Sequence, residues 1–334
     1  MPLKIFYAVQ ATGNGHIARA AELLPYLSKY GTVDVFLSGG NSSLPVDLPV
    51  KYRSKGMSLF YTKKGNLDYK KMWQELSLKR IHREAKDLPV EKYDIILNDF
   101  ESITSVACRL KKKNSTGFGH QASFQSMKTP RPKRKNIAGE LILSKYATAT
   151  NYAGLHFERY DDFILSPVLK KEILDASPQQ KDHITIYIPH YSDDVIEKHL
   201  HAVKDIQFHI FSRSVKEETQ KNNIHFIPVN NHLFNKSLIN CTGIITGGGF
   251  ETPAEALYLG KKLMCIPIRG QYEQLCNAAA VEKFNVPVID KISAGFDKHV
   301  MQWLQATGPE KLTLHNSTEE IVEIVIEKAL AAVK

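Results

Sequence analysis

Cysteine is scarce: Cys108, Cys241, Cys265 and Cys276 are the only four in 334 residues, and no two stand in C-x-x-C spacing. That excludes a cysteine zinc site, and because most of the four sit inside apolar runs they read as buried thiols of a reducing compartment. No apolar run reaches membrane-spanning length, and the opening MPLKIFYAVQ lacks the basic, long apolar and small-residue parts of a signal peptide. The expectation is a soluble, cytoplasmic protein. No Gly-Lys-Ser/Thr follows a glycine turn, so there is no Walker A loop. There is also no D-x-D pair to hold a divalent ion; the nearest acidic pair is Asp99 and Glu101 in NDFE.

Positive charge is plentiful but unevenly placed. Residues 1–160 carry 26 Lys and Arg against 13 Asp and Glu, and the remainder 18 against 22, so the two parts differ in sign at +13 and −4. One half is therefore suited to an anionic partner such as a lipid surface, a nucleic acid or an acidic substrate. The densest cluster is KTPRPKRKN, with Lys128, Arg131, Lys133, Arg134 and Lys135. Its two prolines make it a loop, which is either simply solvated or in contact with anionic lipid or acceptor. No aromatics interleave with these cations, which argues against a nucleic-acid partner.

The length suggests two domains. From Leu3 to about Gly119, the runs KIFYAV, VDVFL, YDIILND and STGFG alternate with helical patterns near Ile17–Tyr30, Tyr69–Lys86 and Ile103–Lys112. A second set, HITIYIP, IQFHIF, IHFIPV, GIITGGG and KLMCIPI, alternates with helical segments after Asp193, Asn231, Thr252 and Gln271. Such alternation predicts two α/β units with parallel sheets and helices on both faces. We place them at 1–160 and 183–316, with a Pro-, Asp- and Lys-rich hinge at 161–182. The segment 317–334 opens with Ser317 and Glu320 as a capping box and carries apolar residues at Ile321, Ile324, Val325 and Leu330, as expected of an amphipathic helix.

The turn TGNGHIARA after the first strand has Gly13, Gly15 and Ala18 in the spacing of a dinucleotide fingerprint. That reading needs an acid at the end of the second strand, but VDVFLSGG ends in Ser38, Gly39 and Gly40, so a nicotinamide enzyme is disfavoured. The alternative gives His16 a task. In the first turn of a helix the dipole favours neutral imidazole, which suits a general base, and Gly13 and Gly15 leave room for a substrate. A structural helix-start histidine is equally compatible with the turn. Asp99, ending YDIIL at the same sheet edge, either orients that imidazole or caps the helix that follows. His120 and Gln121 in GFGHQASF, with Glu101, are further first-domain candidates, a purely structural His120 being the alternative.

The second turn, GIITGGGFETPAEAL, runs a buried-looking strand into Gly247, Gly248 and Gly249, with a helix expected from Thr252. Free amides and the dipole there favour a diphosphate. Glu255 either closes a T-x-x-E capping box or accepts both hydroxyls of a ribose. After the next strand, Gln271, Glu273, Gln274 and Asn277 suit a sugar's hydroxyls, or form a plain polar helix start.

TGNGHIARA together with GGGFETPAEAL and PIRGQYEQLCNA resembles the two-domain glycosyltransferases of GT-B fold, near the group that includes the lipid II N-acetylglucosaminyltransferase and the UDP-glucuronosyltransferases. The resemblance implies two Rossmann-like domains facing across a cleft, with the last helix packing back on the first. It implies a diphosphate at Gly247–Gly249, ribose at Glu255, the transferred sugar at Gln271, Gln274 and Glu273, and His16 as base. It further suggests a nucleobase near Phe226 and Ile227 and a weak phosphate contact at Ser192, where YIPHYSDD departs from the group's glycine-rich turn. The expected reaction is an inverting, metal-independent transfer from a UDP-linked sugar to an acceptor hydroxyl, with the nucleotide sugar as co-substrate and no cofactor. A nucleotide-sugar epimerase of the same fold and a non-catalytic nucleotide or carbohydrate binder are the alternatives. The acceptor, lipid-linked or anionic, is not legible, because loops such as Asn41 to Thr62 carry no pattern.

Overall fold

The computed structural model describes residues 2–11, 13–40, 48–56, 77–179, 181–200 and 202–332. Strand β1 (Leu3–Gln10) is buried from Ile5 onward, as a strand covered on both faces must be. Helix α1 (Asn14–Leu27) follows, and its Ile17, Ala20, Leu23 and Leu27 recur at helical spacing to pack on the sheet. Next come β2 (Gly31–Ser38), β3 (Val50–Ser54), α2 (Leu78–Asp87), β4 (Ile95–Asp99), α3 (Ser102–Leu110), β5 (Thr116–Gly119), α4 (Ile137–Lys145), β6 (Asn151–Leu155) and β7 (Ile164–Leu165). The seven strands form one parallel sheet in the order β3-β2-β1-β4-β5-β6-β7. The first sheet thus extends to Leu165, inside the stretch expected as hinge. Of the helix expected over Tyr69–Lys86, only the later part falls within the described residues, as α2; most of the Asn41–Thr62 loop lies outside them.

A short helix, α5 (Lys171–Leu174), leads to the second lobe: β8 (His183–Tyr187), α6 (Asp193–Leu200), β9 (Gln207–Ser212), β10 (Thr219–Lys221), β11 (Ile224–Pro228), α7 (Asn231–Asn240), β12 (Gly243–Thr246), α8 (Glu251–Tyr258), β13 (Lys262–Cys265), α9 (Tyr272–Val281) and α10 (Phe296–Gln305). Its sheet runs β10-β11-β9-β8-β12-β13, and only the β10 edge is antiparallel. Both lobes are therefore Rossmann-like, as expected of the alternating pattern.

The last helix, α11 (Thr318–Ala331), carries the full Ser317–Glu320 capping box. Its Ile321, Val322, Val325 and Ile326 enter the core of the first lobe, each worth about 1.5–3 kcal/mol when fully buried. Lys328 donates to Tyr152 O (2.8 Å) and Asn151 donates to Lys328 O (3.1 Å), fastening α11 to β6. Leu330 remains 36% exposed. The apolar core continues between the lobes through Phe157, Phe250 and Phe284, with Phe157 and Phe250 centroids 5.0 Å apart. All four cysteines are free and buried. Among the described residues no helix is long and apolar enough to cross a membrane.

Candidate functional site

In the first sheet the order reverses between β1 and β4, and a crevice opens at the carboxyl ends of parallel strands where such a reversal occurs. β1 feeds the turn into α1, so His16 emerges there. β4 pairs with β1 and ends at Asp99, which is fully buried. His16 Nδ1 lies 2.9 Å from Asp99 Oδ1. With its proton on Nδ1 toward Asp99, the ring presents Nε2 as the acceptor nitrogen, 3.4 Å from the Gln121 amide nitrogen; Arg19 Nη2 also lies 3.0 Å from Nδ1. Asp99 does not cap α3; Glu101 does, taking the amides of Ile103 (2.9 Å) and Thr104 (2.6 Å).

Arg19 stands one turn beyond His16 and donates to both oxygens of Asp99, at 2.8 and 2.7 Å. Gly119, at φ 145°, permits this: a Cβ there would run into Asp99 Oδ1 and Arg19 Nη2. Burial disfavours charging His16, but the field and hydrogen bond of Asp99, aided by Glu251 and opposed by Arg19, hold its pKa above the ordinary histidine value. Burial alone would lift Asp99, yet Arg19 and then His16 keep its pKa below the usual carboxylate value.

The second lobe answers this cluster from α8, which follows the triple-glycine turn. Helix α8 begins at Glu251 with Phe250 as N-cap, so the cap lies two residues nearer the turn than the one expected at Thr252, and no T-x-x-E box forms. Glu251 binds Arg19 across the cleft. Gly15 makes the approach possible, because a side chain there would occupy the place of the Glu251 carboxylate. From α9, Glu273 accepts from the Gln121 amide at 2.9 Å. His16, Asp99, Arg19 and Gln121 of one lobe thus face Glu251 and Glu273 of the other.

Beside this cluster a partly open cleft lies between the lobes, with Gly15, Arg19 and Glu22 on one side and Glu251, Thr252 and Glu255 on the other. One wall is aromatic: Phe234 meets Phe211 edge-on at 5.1 Å and Tyr187 at 5.6 Å, and Val229 and Asn230 complete it. Deeper in, Glu255 is 2% exposed and ion-paired with Lys170 at 3.1 Å. Burial raises the Glu255 pKa, and Lys170 opposes that rise.

Several expected residues lie elsewhere. Phe226 belongs to the core of the second sheet and Ile227 is buried in β11, because the strand continues to Pro228 and the cavity wall starts only at Val229. Ser192 is exposed at the start of α6, where its carbonyl receives the amides of Val195 and Ile196. From the same stretch it is His190 that reaches Gly247, with both ring nitrogens buried and unpartnered and burial pushing its pKa down to about 4. Gln274 faces the glycine turn itself, accepting from Gly248 N (3.2 Å) and Ile268 N (2.8 Å), so that amide is occupied while the space beside Gly249 is open. Gln271 precedes α9 without capping it. His120 is 1% exposed between the lobes, stacked on Phe250 at 3.9 Å, with Nδ1 donating to Leu155 O and Nε2 2.7 Å from the Asn277 amide group. Burial lowers the pKa of that ring, opposed by Glu273 and by its hydrogen bonds. Glu101 is fully buried in its cap. Both His120 and Glu101, expected on the acceptor side, are thus buried among protein partners. In the basic loop, Arg131 is turned inward onto Glu140 (2.7 Å) and the carbonyl of Phe124 (3.0 Å), and Lys128 pairs with Asp161 (3.3 Å).

Sequence reasoning missed Arg19, Glu251, Lys170 and His190. A signal existed for Arg19: it is a charge on a helix whose neighbouring Ile17 and Ala20 are buried.

Two parallel sheets facing across a charged cleft, with a histidine–aspartate pair on one side and a glycine turn opposite, define a two-lobed transferase of GT-B architecture. The chain matches glycosyl transferase family 1 over residues 3–306 and belongs to that family; it is a glycosyltransferase. Among solved structures it is similar to UGT89C1 of Arabidopsis thaliana complexed with UDP, at 14% identity and TM-score 0.61, covering 100% of this chain and 96% of that one. The glycosyltransferase SnogD from Streptomyces nogalater aligns at 11% identity and TM-score 0.55 over 98% and 100%. A putative UDP-N-acetylglucosamine 2-epimerase from Listeria monocytogenes aligns at 9% identity and TM-score 0.58 over 98% and 95%. At these identities the likeness is one of fold. No curated protein matches the chain in sequence.

Proposed function

We propose that the enzyme moves a sugar from a UDP-linked donor to an acceptor hydroxyl, inverting the anomeric carbon and requiring no metal. The observation that carries this reading is the His16–Asp99 pair held across the cleft from the first turn of α8. Similar folds have been solved with UDP and with UDP-L-rhamnose, which supports the choice of donor. The aromatic wall around Phe234 receives the base, Glu255 the ribose hydroxyls, and the open side of the glycine turn the diphosphate. His16 Nε2 removes the acceptor proton as the oxygen forms its bond to the anomeric carbon. The bond from that carbon to the diphosphate breaks, and the electron pair leaves with the phosphate oxygen. The free amides at the start of α8 and the helix dipole supply positive charge for the departing group, in place of a metal.

The test is NMR of the product made from an α-linked donor. A β-glycoside is expected, in the presence of a chelator, with His16→Ala slowing turnover roughly 10²–10⁴-fold while UDP binding persists. Release of an epimerised nucleotide sugar, retention at the anomeric carbon, or full activity of His16→Ala would refute the proposal.

A further inference from the structure

Helices on protein surfaces normally turn their apolar stripe inward. Helix α4 keeps Gly139 and Leu143 inward, Leu143 packing with Phe124, Tyr272 and Cys276. Its opposite side is apolar as well: Ile137 is 79% exposed, Leu141 55% and Ile142 44%, and nearby Met127 is 76% exposed. Positions 137, 141 and 145, with 138 and 142, share one face by helical spacing. Cations surround it: Lys133, Arg134 and Lys135 just before the helix and Lys145 at its end are all exposed, and among the described residues none of the four has a carboxylate within ion-pair distance. Arg131, braced inward, holds the loop against α4 through Glu140.

We infer that the outer face of α4 and the preceding loop dock on an anionic lipid surface, with Ile137, Leu141, Ile142 and Met127 entering the boundary of the acyl region and the cations lying against lipid phosphates. An apolar centre ringed by unpaired positive charge matches that surface on both counts. A second copy matches the apolar centre alone, because an isologous contact through this face would set one basic loop against the other. The patch also adjoins the cleft. Tyr272 donates to Glu140 of α4 at 2.6 Å and opens the helix that carries Glu273 to Gln121. Docking therefore brings the mouth of the transfer site to the bilayer, a deepening that rests on the sugar-transfer reading.

The experiment is sedimentation of the full chain with vesicles of phosphatidylcholine alone or with a third phosphatidylglycerol. Binding to the anionic vesicles alone is expected, weakening as salt is raised. Lys133→Glu with Arg134→Glu and Lys135→Glu should lower partitioning at least about 100-fold, at about fivefold for each of the three cations lost, with repulsion from the new carboxylates in addition. Ile137→Ser with Leu141→Ser should also weaken it, and Leu141→Trp should show blue-shifted emission with anionic vesicles. All these side chains are exposed, so melting and UDP binding should match the parent and exclude misfolding. The inference is overturned if the parent does not sediment, if the variants bind as well as the parent, or if the parent is a dimer that Ile137→Ser with Leu141→Ser dissociates. Vesicle binding without UDP binding would refute the transfer reading and leave the surface standing; UDP binding without vesicle binding would do the reverse.

Discussion

Replacing Arg19 by Met tests whether the cleft is organised around one buried guanidinium. The side chain is 2% exposed and serves two carboxylates, Asp99 at 0% and Glu251 at 24% exposure. Met keeps most of the volume but strands Asp99 with a single partner, His16, in a place water does not reach. Removing one member of a buried pair costs about 3–5 kcal/mol, because the charge left behind is uncompensated. For a lobe of this size that lowers melting by roughly 6–20 °C. Glu251→Gln removes a partly solvated charge instead and should cost about 1 kcal/mol or less. Adding Asp99→Asn to Arg19→Met removes the stranded charge, so the double variant should be more stable than Arg19→Met alone. Differential scanning calorimetry of the four proteins provides the measurement. Equal losses for Arg19→Met and Glu251→Gln, or a double variant less stable than Arg19→Met, would refute the reasoning.

Two further outcomes are expected. The base form of His16 is the neutral ring, so with its pKa raised the acidic limb of kcat/KM should lie above the ordinary histidine value; Asp99→Asn removes the charge that raises it, moving the limb to lower pH while cutting kcat roughly 10²–10⁴-fold, and an unmoved limb would detach Asp99 from the base. Glu255→Gln should weaken UDP about 10–100-fold by calorimetric titration, the worth of charge-assisted bonds to hydroxyls, whereas unchanged affinity would leave the carboxylate only the task of holding Lys170.

Much of this architecture was legible because it repeats locally. Alternating strand and helix patterns announced both parallel sheets, and Ser317 with Glu320 marked the start of α11, since capping is settled within one turn. His16 and Asp99 were each visible at a strand's carboxyl end, where sheet order alone brings such ends together. Arg19 and Glu251 were not, because their partnership spans 232 residues and arises only when the lobes face each other. The helix start at Thr252 was read from Pro253, but proline is also tolerated within the first turn, and Glu251 was overlooked by that shift. Phe226 looked like a strand end, yet β11 runs to Pro228 and buries it. The apolar outer face of α4 was masked by the conspicuous charges before it.

Because α11 returns to the first lobe after the second is complete, the polypeptide passes between the lobes twice. Two covalent tethers forbid the free tumbling that a single linker allows and leave bending about a common axis as the easy motion. They also mean that neither half is an autonomous fragment: cutting after the second lobe strips four core side chains, Ile321, Val322, Val325 and Ile326, from the lobe at the other end of the gene.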